Sequence, residues 1–199
     1  MRRVFISLLL LFSAVAVWAQ QTPKQWIASL NSSLGERYAT FITVSAYDED
    51  INGYFMVDGD GYYIELGVME VYSDGRLRYE INNERKEVTE DRVNLEAVDL
   101  LTNPTRAFKF VDSEYDTTID QTLSNGVVLK LVPKADDMGI AAIYLKLQKS
   151  GAKVLPTSIT YDYDGETVTI TLAQADVADA ELPRWSEQEY RAYDMVSFL

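Results

Sequence analysis

Residues 70–79 read EVYSDGRLRY, and the fold prediction starts from the pattern in this stretch. Asp74-Gly75 is a two-residue signal for a tight hairpin turn. After the turn, apolar Leu77 and Tyr79 lie on either side of charged Arg78, so apolar and polar side chains alternate with a period of two. The stretch therefore predicts two antiparallel strands joined by a short turn, each with one apolar and one solvated face.

The same alternation continues along most of the chain after Arg37. It is clearest in three segments, which run from Leu129 to Leu131, from Ile143 to Leu147 and from Val168 to Leu172. Further two-residue turn signals are Asn52-Gly53, Asn125-Gly126 and Asp164-Gly165. Together these features predict a meandering antiparallel sheet.

Two short helices are predicted beside this sheet. The first begins at Thr22-Pro23 and stops at Gly35, and its apolar stripe is Trp26, Ile27, Leu30 and Leu34. The second is capped by Asn94, ends before Pro104 and presents Leu95, Val98 and Leu101. Because a large one-sided sheet must cover its apolar face, we predict a mainly β (α+β) fold. This fold is a curved antiparallel sheet, or incomplete β-barrel, wrapped around and lidded by short helices.

The N-terminus has the order of charged, apolar and small residues that is typical of a secretory signal peptide. Arg2 and Arg3 precede a mainly apolar run, and Ala19 precedes Gln20 at the expected cleavage site. The run is shorter than the roughly 20 residues of a membrane span, which disfavours an anchor. We predict a cleavable signal at residues 1–19 and a single domain at residues 20–199. Since no Cys is available for lipidation, the exported protein is expected not to be membrane-anchored.

Charge and composition exclude several classes of function. The formal net charge is −13, and loss of Arg2 and Arg3 makes it more negative, so nucleic acid is not an expected partner. The chain contains no His and no Cys, which removes Ser-His-Asp and Cys-His catalysis, haem ligation and most zinc sites. We therefore expect no catalytic residue, no metal site and no cofactor.

Paired carboxylates are the remaining candidates for catalysis, in a glycosidase-like reaction. The candidates are residues 48–50 and the pair Asp162 and Asp164. Both lie beside glycine-marked turns, where Asp favours the backbone conformation, so we interpret them as turn residues. Residues 58–61 (DGDG) resemble the start of a calcium loop but lack its later ligands, and they are also interpreted as a hairpin turn.

Apolar and aromatic side chains on the sheet are the candidate binding surface. The ten predicted ligand-binding residues are Phe41, Phe55, Val57, Tyr62, Ile64, Val71, Leu77, Tyr79, Leu129 and Leu131. The alternation places all of these except Phe41 and Tyr62 on the apolar face of the curved sheet. Phe108 and Phe110 belong to the same apolar and aromatic set. These residues either fill a closed core or partly line a ligand cavity, and the residue pattern leaves both interpretations open.

Six segments follow one another in a recognisable order along the exported chain. They are residues 38–41 (YATF), 53–57 (GYFMV), 70–79 (EVYSDGRLRY), 100–104 (LLTNP), 131–134 (LVPK) and 193–198 (YDMVSF). Their order resembles the LolA-like family of periplasmic outer-membrane lipoprotein carriers, and the likeness is sharpest at residues 70–79.

This resemblance implies an incomplete barrel with an apolar cavity for the acyl chains of a lipoprotein. It also implies that Leu95, Val98 and Leu101 form a lid over the cavity. Better-known carriers have an Arg-Pro pair that helps to close the lid, where this chain has Gly59 and Asp60. Arg106 is the candidate to replace that arginine.

The function implied is a soluble, monomeric periplasmic chaperone that binds acyl chains of lipoproteins, or a similar lipid, and carries them toward the outer membrane. An inner-membrane donor complex and an outer-membrane receptor would be its protein partners. The alternative is a binding module of the same fold that senses lipid or lipoprotein and signals through a protein partner.

Overall fold

The computed structural model describes residues 21–96, 104–106, 108–135, 139–163, 165–175 and 180–199. The predicted signal peptide at residues 1–19 lies outside this part of the chain. So do Asp164 and two of the three predicted lid residues, Val98 and Leu101.

Helix α1 spans Pro23–Leu34 and confirms the first helix prediction. Its N-terminus is a capping box: the Gln25 backbone N–H donates to Thr22 Oγ1 over 3.3 Å, and the Thr22 N–H donates to Gln25 Oε1 over 2.8 Å. Gly35 ends the helix in a positive-φ conformation at 67°. Trp26, Ile27 and Leu30 are buried, so α1 packs through the predicted stripe.

The strands of the described residues form one open sheet. They are β1 (Arg37–Ala46), β2 (Glu49–Asp58), β3 (Gly61–Leu66), β4 (Met69–Ser73), β5 (Leu77–Asn82), β6 (Glu87–Arg92), β7 (Tyr115–Leu123), β8 (Gly126–Pro133), β9 (Ala142–Ser150), β10 (Lys153–Tyr163), β11 (Glu166–Ala175) and β12 (Asp194–Ser197). A short helix, α2 (Val111–Glu114), precedes β7.

The sheet order is β12-β6-β5-β4-β3-β2-β1-β11-β10-β9-β8-β7. Two meanders, β1 to β6 and β7 to β11, are joined by the antiparallel pairing of β1 with β11. β12 returns to pair parallel with β6, and the other ladders are antiparallel. The predicted mainly β class and meandering antiparallel sheet are therefore confirmed.

The observed turns can be compared with the turns predicted from two-residue signals. Asp74-Gly75 is a turn, in which Asp74 Oδ1 accepts the backbone N–H groups of Arg76 and Leu77 over 2.8 and 2.9 Å. Residues 58–61 also form the predicted hairpin turn, between β2 and β3. The Asn125 turn occupies residues 124–125, one position earlier than predicted, so that Gly126 begins β8.

The Asn52-Gly53 prediction was wrong, because both residues lie inside β2. A Cβ at Gly53 would lie 2.4 Å from the Glu65 carbonyl oxygen, so this glycine permits close approach of β3 instead of a turn. The β1–β2 turn is at Tyr47 and Asp48, whose φ angles of 52° and 63° are those of a type I′ hairpin.

Both faces of the central strands are covered, and the prediction of one solvated face was wrong there. One face, here called the helix face, packs against α1 and residues 108–111. The other, here called the tail face, packs beneath the tail segment, residues 180–193. In β3 the consecutive residues Tyr62, Tyr63 and Ile64 are all buried for this reason.

Candidate functional site

Seven of the ten predicted ligand-binding residues lie together on the helix face. They are Phe55, Val57, Tyr62, Ile64, Val71, Leu129 and Leu131. All are at most 7% exposed and share one apolar cluster with the buried residues of α1. Phe108 and Phe110 join the same cluster.

Phe41, Leu77 and Tyr79 do not share that face. For Leu77 and Tyr79 this corrects the prediction that they lie on the apolar face with Phe55. Phe41 is 57% exposed and contacts Tyr54, with ring centroids 5.4 Å apart. Tyr79 stacks on Trp185 of the tail segment, and Leu77 lies two residues from Tyr79 on the same side of β5. Apolar side chains are tolerated on this side of the sheet because the tail segment shields them from water.

Leu95 and Arg106 are the predicted lid residues that the structure describes. Leu95 is 67% exposed, in a turn where Asn94 Oδ1 accepts the Glu96 backbone N–H over 2.9 Å. Arg106 Nη1 donates to the Leu95 carbonyl oxygen. Arg106 therefore contacts the backbone of Leu95, the first residue of the predicted lid.

Pro104 and Phe108, which come after the predicted lid in the sequence, each accept a hydrogen bond from the helix face. The Tyr38 hydroxyl donates to the Pro104 carbonyl oxygen over 2.6 Å, and Asn31 Nδ2 donates to the Phe108 carbonyl oxygen over 3.4 Å. Burial raises the pKa of Tyr38, so its hydroxyl remains a donor throughout the physiological pH range.

A cavity opens where β10 separates from β11, and we call it the β10–β11 cavity. These strands pair only from Ser158 to Tyr163, within the part of the sheet that is described. The register of β10 against β9 shifts between Pro156 and Ser158. Proline has no N–H to donate, and a bulge bends its own strand. The first part of β10, residues 153–157, therefore diverges from residues 172–175 of β11.

The cavity has a volume of about 420 Å³ and an apolar floor. Phe55, Phe108 and Leu172 supply that floor and are each buried. Leu34 from the end of α1 and Leu155 from β10 complete the apolar lining. Of the residues predicted to bind ligand, only Phe55 lines this cavity.

The rim of the cavity is basic. Arg37 lies at the start of β1, and Lys149 and Lys153 lie on either side of the β9–β10 turn. No Asp or Glu among the described residues lines the cavity. Arg37 is far from both lysines in the sequence, and no local pattern indicated that the three would meet.

A second polar site lies on the tail face, around Glu70. Its carboxylate accepts hydrogen bonds from Tyr72, Tyr190, Tyr63 and Asn83, over 2.8, 3.0, 3.3 and 2.6 Å. Burial alone would raise the pKa of Glu70, but these hydrogen bonds together hold it below the ordinary value.

Trp185 of the tail segment is stacked between two of the tail-face tyrosines. The centroid of its ring lies 4.4 Å from that of Tyr79 and 5.1 Å from that of Tyr190, and the interplanar angles are 5° and 8°. The sequence analysis assigned no role to residues 180–190. The only available signal was the aromatic content of an otherwise polar C-terminal stretch.

Of the described carboxylates considered for catalysis, Asp48 lies in the β1–β2 turn as interpreted from the sequence, whereas Glu49 and Asp50 begin β2. Asp162 lies near the end of β10, where its Oδ1 accepts the Gly165 backbone N–H over 3.0 Å. Within the described ranges, no three His, Cys, Asp or Glu side chains are grouped so as to hold a metal ion. The described part of the chain also contains no helix that is long and apolar enough to cross a membrane.

No protein-family model and no curated protein sequence matches this chain. Among solved structures, it is similar to an uncharacterized conserved protein from Thermus thermophilus. That match has 11% identity and a TM-score of 0.54, over 87% of this chain and 98% of the other.

Two further matches have lower TM-scores. A LolA superfamily protein from Nitrosomonas europaea has 10% identity and a TM-score of 0.38, over 86% of this chain and 98% of the other. The Pseudomonas aeruginosa MucA/MucB complex has 14% identity and a TM-score of 0.42, over 84% of this chain and 60% of the other. The likeness to the Thermus thermophilus protein is one of fold, and the predicted large, open antiparallel sheet is confirmed.

Proposed function

We propose that this protein binds the acyl chain of a lipoprotein, or of a similar lipid, and carries it through the periplasm toward the outer membrane. The observation that supports the proposal is the β10–β11 cavity, whose floor is formed by Phe55, Phe108 and Leu172. Its volume of about 420 Å³ lies within the range of roughly 300–1,000 Å³ that is usual for ligand pockets.

The energetics of acyl transfer explain why such a carrier needs an apolar cavity. Burying one CH₂ group is worth roughly 0.8 kcal/mol, so a chain of about 16 carbons is worth on the order of 12 kcal/mol. A lipid that leaves a membrane loses this free energy unless a protein shields its chain. The cavity would shield part of the chain, and the proposed lid would cover the remainder.

The proposed lid consists of Leu95, Val98 and Leu101, closed with the help of Arg106. Arg106 donates to the Leu95 carbonyl, and Tyr38 donates to the carbonyl of Pro104, the residue predicted to end the lid helix. Delivery requires that the closed and open states differ by only a few kcal/mol.

The proposed location, oligomeric state and protein partners follow from the same function. Export by the signal peptide at residues 1–19 would place a monomeric, unanchored protein in the periplasm. An inner-membrane donor complex would load it and an outer-membrane receptor would unload it. The cargo is bound and released without chemical turnover.

Cavity filling tests the proposal. Leu155 lines the cavity and is half-buried, so Leu155→Trp places a large ring in existing space. We expect this variant to lose most uptake of a fluorescent acyl probe, while its free energy of unfolding changes by about 1 kcal/mol or less. Equilibrium titration and urea unfolding measure the two quantities.

Val132→Trp is the matched control, because Val132 is 40% exposed on β8 and does not line the cavity. It should take up the probe like the unmutated protein. Undiminished uptake by Leu155→Trp, or no uptake by the unmutated protein, would exclude this cavity as the acyl site.

The exposed strand β12 favours a second candidate function, the lipid-sensing module that acts through a protein partner. Met195, Val196 and Phe198 are 49%, 42% and 66% exposed, and β12 pairs with β6 on one side. An apolar edge strand can accept a strand from a partner. A Val196→Lys variant that binds the acyl probe normally but loses biological activity would favour sensing over transport.

A further inference from the structure

The charge of the β10–β11 cavity is opposite to that of the protein. The chain contains 31 Asp and Glu against 18 Lys and Arg. At the cavity this balance is reversed, because Arg37, Lys149 and Lys153 line it and no described acidic residue does. A cavity that bound only hydrocarbon would gain nothing from this arrangement.

The two lysines are engaged by the protein less than Arg37 is. Arg37 Nε lies 3.5 Å from an Asp58 carboxylate oxygen, and Arg37 Nη2 donates to the Ala180 carbonyl oxygen of the tail segment. Lys149 Nζ lies 5.0 Å from the centre of the Trp26 ring. Neither lysine forms an ion pair with a described residue. Both ammonium groups therefore retain hydrogen-bonding capacity toward a ligand.

The apolar floor and the basic rim are parts of the same cavity. Phe55, Phe108 and Leu172 are buried, whereas Lys149 and Lys153 lie at the exposed ends of β9 and β10. Further polar groups lie in the lining, from Gln148, Thr157 and Gln174. A ligand that matches both parts has a hydrocarbon chain at one end and anionic oxygen atoms at the other.

We propose that the β10–β11 cavity binds a single-chain amphiphile with an anionic headgroup, either a carboxylate or a phosphate. Lys149 and Lys153 hold the headgroup at the rim, and the chain lies against Phe55 and Phe108. This inference rests on the proposed acyl-binding function and names the class of lipid that the site selects.

The test compares ligands that share one acyl chain and differ in the headgroup. Laurate and lauroyl-lysophosphatidate carry anionic heads, monolaurin carries a neutral head, and inorganic phosphate has no chain. We expect both anionic lipids to bind the mature protein about tenfold more tightly than monolaurin, as two charge-assisted contacts permit. Isothermal titration measures each affinity, and added salt should reduce the difference.

A charge-matched pair of double variants locates the effect. Lys149→Gln with Lys153→Gln should lower laurate affinity to the value for monolaurin and leave monolaurin binding unchanged. Lys24→Gln with Lys130→Gln removes the same formal charge away from the cavity and should preserve the tenfold preference.

The outcomes separate this inference from the function on which it rests. Equal affinities for laurate and monolaurin would overturn the headgroup preference and leave acyl binding intact. Binding of inorganic phosphate as tight as that of lauroyl-lysophosphatidate, with none of laurate, would identify a phosphate site and overturn the amphiphile. Binding of no lipid would overturn the proposed function itself.

Discussion

The two faces of the sheet are covered in physically different ways. On the helix face, aliphatic and aromatic side chains from α1 and residues 108–111 form one apolar cluster. On the tail face, tyrosines hydrogen-bond to Glu70 and stack on Trp185. The first contact is non-directional, whereas the second depends on the geometry of individual groups.

The openings on the two faces differ in charge as well. The β10–β11 cavity has a basic rim and no acidic residue among those described. The cleft beneath the tail segment, about 550 Å³ in volume, is lined by Asp58, Asp60 and Asp74, with Arg184 as the one basic residue of its described lining. The two openings therefore differ in the charge that they present to a ligand.

The largest expected effect is loss of volume on the helix face. Leu30 is fully buried in the middle of α1, and Leu30→Ala should reduce the free energy of unfolding by about 3 kcal/mol. Leu30→Met, which nearly conserves volume, should cost less than about 1.5 kcal/mol. Urea unfolding of both variants measures the contrast. If both variants lost the same free energy of unfolding, the stability of this face would not depend on buried volume more than on side-chain shape.

The helix face was easier to predict from the sequence than the tail face. The stripe of Trp26, Ile27 and Leu30 has a helical period that is visible in local sequence, and α1 forms as predicted. Strands β5, β8, β9 and β11 likewise follow from local alternation. These elements depend on neighbours within a few residues, which is the range over which periodicity is informative.

The tail face could not be predicted from local pattern. The tail segment is irregular, and nothing within residues 180–193 specifies the strands against which it packs. Leu77 and Tyr79 were consequently assigned to the wrong face. The basic rim was missed for a related reason, since Arg37 comes to line the same cavity as Lys149 and Lys153 only through the pairing of β1 with β11 and the bulge at Pro156.

A smaller loss is expected when the aromatic stack on the tail face is removed. Trp185→Ala deletes the ring that lies between Tyr79 and Tyr190, and each such contact is worth about 1 kcal/mol. We expect a loss of about 2 kcal/mol in the free energy of unfolding, with acyl-probe uptake unchanged. Trp185→Phe, which retains a stacked ring, should recover about half of the loss. Reduced probe uptake by folded Trp185→Ala would show that the two faces are coupled.

The smallest expected effect on stability concerns Glu70 and depends on pH. Burial opposes its ionisation, but hydrogen bonds from Asn83 and three tyrosines outweigh burial and lower its pKa in the folded protein below the ordinary value of 4.5. The unfolded chain therefore binds more protons than the folded protein between the two pKa values, so stability falls as the pH decreases through this window. The donors stay protonated at neutral pH, because burial, together with Glu70, raises the pKa of Tyr190 to about 12.

Glu70→Gln removes the charged acceptor but keeps the shape of the side chain. It should cost about 1 kcal/mol at pH 7, and the difference from the unmutated protein should disappear as the pH falls well below 4.5. Glu65 lies opposite Glu70 in the β3–β4 pair and accepts a single, long hydrogen bond of 3.4 Å from Tyr63. Glu65→Gln is therefore the control, and its difference from the unmutated protein should be near zero at both pH values. Thermal unfolding from about pH 3 to pH 7 measures these differences directly. A Glu70→Gln difference that did not change with pH would show that Glu70 contributes through packing, and the tail face would then resemble the helix face in depending on volume alone.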